Sequence, residues 1–77
     1  MIVKFVYQWE KIGTKNEKQR IVSVECDCIV YTETKKSWRV VCLKGSETIR
    51  DKEFAVTDKV YAFVVENGQT VDRLPRR

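Results

Sequence analysis

Hydrophobic residues recur at every second position over several short stretches of this chain, the period of strands that bury one face. Residues 3–9 set Val3, Phe5, Tyr7 and Trp9 on one side and Lys4, Val6 and Gln8 on the other, which predicts a first strand with an aromatic face. Residues 11–19 have no period and gather Gly13, Thr14, Asn16 and several charges, a loop composition. The clearest alternation lies at residues 21–31, where Val22, Val24, Cys26, Cys28 and Val30 interleave with Ser23, Glu25 and Asp27. One strand is predicted there, with both cysteines pointing into the core.

Residues 32–37 read as a hairpin loop, and the β-branched and aromatic run at residues 38–43 is expected to fold back antiparallel on the preceding strand. After the turn at Lys44, Gly45 and Ser46, residues 47–56 have mixed periodicity that suits either a short strand or a single helical turn. Residues 59–66 form another strand. Asn67-Gly68 then supplies the positive φ angles of a type I′ turn, so residues 69–74 should pair back onto it. Pro75, Arg76 and Arg77 are expected to fray as a basic tail. The result is an all-β fold of about five or six strands, a small antiparallel barrel or strongly bent sheet with at most one short helical turn. An SH3-like barrel is the first choice and an OB-like barrel the alternative. Residues 1–74 form one domain and residues 75–77 the tail.

Composition narrows the setting. A chain of 77 residues has room for one core. Its apolar runs fall far short of the roughly 18 residues that cross a bilayer, and its start lacks the layout of a signal peptide. A complete cytoplasmic domain is therefore expected. Three cysteines, an odd number, argue for reduced thiols over a disulfide framework. Fifteen basic against eleven acidic residues give a net charge of +4, a mild bias towards acidic partners.

Little in the chain points to catalysis. There is no histidine, the commonest general base. Gly13, Gly45 and Gly68 stand alone, without the clustering of a phosphate-cradling loop. Glu25 and Asp27 share a face if they share a strand and could hold a cation, although an ordinary solvated strand face explains them as well. Cys26, Cys28 and Cys42 lack the spacing and the fourth ligand of a structural zinc site and read as small core hydrophobes. No enzyme, metal or cofactor is expected.

Two binding surfaces remain as candidates. Phe5, Val6, Tyr7 and Trp9 offer more apolar surface than one edge strand easily buries, and suit a protein partner or a homodimer through that strand's edge. Lys15, Lys18 and Arg20 in the first loop, with Tyr31, Lys35, Lys36, Trp38 and Arg39 around the second, mix cations with aromatics as binders of single-stranded nucleic acid do. That pairing requires both loops to lie at one end of the domain.

The run Trp38-Arg39-Val40-Val41, followed by Arg50 and Phe54, resembles part of the ligand-sensing barrel called the WYL domain, though the Trp-Tyr-Leu run itself is missing. No site residue follows from it. The leading expectation is a non-enzymatic binding module that docks on and modulates a larger protein or nucleoprotein complex, such as a small phage or bacterial regulator or inhibitor. Single-stranded nucleic-acid binding is the alternative.

Overall fold

The computed structural model describes residues 1–8 and 19–76, and in them the alternating segments form seven strands and no helix. They are β1 (Ile2–Gln8), β2 (Gln19–Glu25), β3 (Cys28–Glu33), β4 (Ser37–Lys44), β5 (Glu47–Ala55), β6 (Val60–Glu66) and β7 (Gln69–Leu74). All pairings are antiparallel, in a four-stranded sheet ordered β2-β1-β6-β7 and a three-stranded sheet ordered β3-β4-β5.

The two inner faces supply the core. Val3, Phe5, Val24, Ala62, Val64 and Leu74 come from the larger sheet and Trp38, Val40, Cys42 and Phe54 from the smaller. Four rings carry the packing from sheet to sheet. Phe54 lies 4.8 Å from Trp38, 6.1 Å from Phe5 and 5.9 Å from Tyr7, and Tyr31 extends the series 6.4 Å from Trp38. These are the tilted and edge contacts that aromatic quadrupoles favour.

Several expectations are corrected. The expected single strand at residues 21–31 is two strands, because the chain leaves one sheet for the other at Cys26 and Asp27. Cys26 N–H donates to the Met1 carbonyl (3.0 Å), and Asp27 N–H to the Leu43 carbonyl (2.8 Å). Crossing shifts the alternation by one residue. Cys26 stays in the core, while Cys28 and Val30 face outward and Ile29 and Tyr31 turn in. Residues 47–55 are strand β5, with no helical turn.

The barrel is not closed. The edge strands β2 and β7 pair with neither edge of the smaller sheet. Along β5 the inward positions opposite Cys42 and Val40 are Arg50 and Lys52, cations that cannot seal an apolar seam. At the other end of the chain, Arg76 is held rather than frayed. Its N–H donates to the Tyr31 hydroxyl (3.1 Å), its guanidinium sits 5.0 Å from the Tyr31 ring centroid, and it pairs with Asp72 at 2.7 Å.

The expected turn chemistry is present. Asn67 and Gly68 have φ of 53° and 77°, the positive values a type I′ hairpin needs. Thr34 Oγ1 accepts from the Lys36 and Ser37 N–H groups (3.2 and 3.0 Å) and shapes the β3–β4 hairpin. Among the described residues no helix is long and apolar enough to cross a membrane.

Candidate nucleic-acid interface

The aromatic first strand is a central strand, flanked by β2 and β6, so it has no free edge through which a second copy could pair. Phe5 and Val6 are 1% and 3% exposed, Phe5 in the core between the sheets and Val6 covered on the outer face, which corrects their expected role as partner contacts. Tyr7 is half-buried against Phe54. Trp9 lies outside the described residues, as do Lys15 and Lys18.

The basic candidates separate into groups. Trp38 is 1% exposed and cannot stack on a ligand. Tyr31 is occupied by Arg76. Arg39 projects from the outer face of the smaller sheet, where its Nε donates to Asp51 (2.8 Å). That guanidinium holds the Asp51 carboxyl below the usual carboxylate range. Arg20 lies 5.9 Å from the Tyr7 ring centroid, on the inner side of β2.

Lys35 and Lys36, on the β3–β4 hairpin, lie near the Gln8 end of β1. Val56 N–H donates to the Lys36 carbonyl (2.8 Å), and three residues later the Lys59 carbonyl accepts from Gln8 N–H (3.0 Å). Residues 56–59 thus tie the β3–β4 hairpin to the point where residues 9–18 leave β1. Among the described residues that end carries Lys35, Lys36 and Lys59.

A surface absent from the expected set lies on the outer face of the larger sheet. Tyr61 and Phe63 occupy alternate positions of the central strand β6, with Ala62 and Val64 turned into the core between them. Both rings are partly exposed, 5.2 Å apart and edge to face. Across the sheet, Phe63 has Lys4 directly opposite on β1 and Arg73 directly opposite on β7. The Arg73 guanidinium reaches over both rings, 5.4 Å from the Tyr61 centroid and 5.8 Å from that of Phe63. Beside them a hollow of about 440 Å³ is lined by Tyr61, Arg73, Pro75 and Arg76. Two rings with flanking cations on a rigid sheet can stack planar groups and neutralise phosphates at once. The sequence does carry a signal for this face. Val60, Tyr61, Ala62, Phe63, Val64 and Val65 are apolar on both sides of one strand, more than a core on one side requires.

The acidic and thiol candidates have structural surroundings. Glu25 ends β2, whereas Asp27 sits in the crossover, so the two do not share a strand face. The Asp27 carboxylate accepts from Gly45 N–H (2.8 Å) and holds the β4–β5 turn. Cys26 and Cys42 are both buried. Burial pushes both up from the ordinary thiol value, Cys42 to about 12. Among the described residues no group of three or more His, Cys, Asp or Glu is placed to hold a metal ion.

No family model matches the chain, and neither does any curated protein or solved structure.

Proposed function

We propose that the protein binds single-stranded nucleic acid on the outer face of the four-stranded sheet. The observation that carries this reading is the row Lys4–Phe63–Arg73, with Tyr61 one step along β6. Bases stack on Tyr61 and Phe63 or on the Arg73 guanidinium plane, and Lys4 and Arg73 meet the phosphates. Stacking is indifferent to base identity, because every base presents a π face, so the expected preference is for single strands over duplex rather than for one sequence. The net charge of +4 supports the reading, since it favours a polyanionic partner.

Fluorescence anisotropy with a labelled oligonucleotide tests it, titrated at about 50 and about 200 mM salt. The wild-type affinity should fall with salt, with a log–log slope of about −0.7 per phosphate contact. Replacing both Tyr61 and Phe63 by Ala should weaken binding by roughly 30-fold or more, since each stacked base contributes about 1–3 kcal/mol. Lack of binding at the lower salt, or an unchanged affinity in a folded double variant, would refute the proposal.

Docking on a protein partner is a second reading. It is favoured by Ile2 and Ile21 on the same outer face, 37% and 58% exposed, and by Val71, 57% exposed, on the neighbouring edge strand. In that case the same double substitution abolishes capture of the partner while oligonucleotides fail to compete.

A further inference from the structure

A second site lies on the opposite flank, where the two sheets fail to meet. Between the inner sides of β1 and β2 and the inner side of β5 is a cleft of about 260 Å³, lined by Phe5, Tyr7, Arg20, Val22, Arg50 and Lys52. Phe5, which is almost wholly buried, closes its floor. Three of these six residues are cations and none is acidic.

Such a wall is costly without a counter-charge. Like charges facing one cleft with low-dielectric walls repel each other, and the same geometry focuses a positive potential on whatever enters. Strand register places Arg50 and Lys52 on this side of β5, opposite Cys42 and Val40, and Arg20 lies 5.9 Å from the Tyr7 ring centroid. A further observation is specific to Arg50. Its Nε is buried and has no hydrogen-bond partner among the described residues. Buried donors are almost always satisfied, by protein or by ordered water, so an orphan beside a cleft is open to an acceptor that enters it.

From this cleft we infer that the protein has a seat for the phosphate group of a small phosphorylated molecule. Arg50 donates from within the cleft, and Arg20 and Lys52 neutralise the remaining charge. The volume falls just below the roughly 300–1,000 Å³ of pockets for drug-sized ligands, which suits a phosphate on a small carrier and not a folded partner. Among the described lining residues, the half-buried Tyr7 ring offers an aromatic surface to such a carrier. This site is independent of the Tyr61–Phe63 face and does not rest on nucleic-acid binding there.

Thermal unfolding and calorimetric titration of the full chain test the inference, with inorganic phosphate, pyrophosphate and a nucleoside monophosphate as separate arms. Chloride at matched ionic strength is the control. Phosphate should raise Tm in a concentration-dependent way, by preferential binding to the folded state, beyond the chloride control. A response to inorganic phosphate alone identifies the free ion as sufficient, and a markedly stronger response to the monophosphate places its carrier against Tyr7. Arg50→Met should weaken phosphate binding roughly 10- to 100-fold, the loss expected when a hydrogen bond to a charged group is removed. Without anion, the same variant should melt at or above the wild-type temperature, because an unpaired buried donor and a repelling charge are gone. Tyr61→Ala should leave the phosphate response intact, which separates this site from the sheet face. Equal Tm shifts for phosphate and chloride, or an undiminished phosphate response in a folded Arg50→Met variant, would overturn the inference.

Discussion

Phe54 is the side chain on which the contact between the sheets turns, and Phe54→Leu measures that contact. Leucine keeps most of the apolar area but removes three ring–ring contacts, with Trp38, Phe5 and Tyr7. Such pairs contribute about 0.5–1.5 kcal/mol each beyond area burial. Partial relaxation around the leucine recovers some of this, so a loss of about 2 kcal/mol is expected. A domain of this size has total stability of roughly 4–12 kcal/mol, so the change is large without being prohibitive. In Tm it corresponds to a fall of about 8–16 °C. Phe54→Ala adds a cavity, costs about 3–5 kcal/mol and brings the domain close to unfolding. Chemical denaturation followed by circular dichroism gives the free energy, and Ile49→Ala is the control. Ile49 is 38% exposed, and its truncation should change stability by no more than about 0.5 kcal/mol. If Phe54→Leu cost no more than that control, the aromatic cluster would not be what joins the sheets.

Two further predictions concern the thiols and a turn. The Cys42 thiol has an ordinary value of 9.0 and is pushed up to about 12 by burial, so its stabilising contribution is fully present below pH 9. It is lost as pH rises towards 12, because the unfolded chain ionises first. The stability difference between wild type and Cys42→Ala should shrink above pH 9 by at most about 1.4 kcal/mol per pH unit. Parallel denaturation midpoints across that range would contradict it. In the β6–β7 hairpin, Gly68→Ala meets no atom within 4 Å, so its cost comes from φ of 77° alone. That penalty is about 1–2 kcal/mol, and a Tm unchanged by the substitution would show that the turn had relaxed to another type.

Local chemistry was legible in the sequence wherever it depends on neighbouring residues. The alternation of Val3, Phe5 and Tyr7, the β4 run from Ser37 to Lys44, and the Asn67-Gly68 turn all follow from a period of two or from backbone sterics at one dipeptide. The missing histidine and the isolated glycines are likewise plain in the residues themselves.

The tertiary structure decided what alternation cannot express. A pattern of every second residue names two faces but not which sheet a strand joins, so residues 21–31 read as one strand until the crossover at Asp27 divided them. It also does not say that β1 lies between two strands. On the outer face of these two central strands Val6 is covered while Tyr61 and Phe63 stay partly exposed, a difference that their shared period does not express. Arg50 and Lys52 look like solvated charges in the chain. Register against Cys42 and Val40 turns them inward, and the open flank with its cationic cleft follows from that pairing. The sequence by itself determined the strand periodicity and the hairpin turns, because those energies are local. Sheet order, the exposed aromatic pair and the cleft came from contacts between distant residues, which only the packed fold brings together.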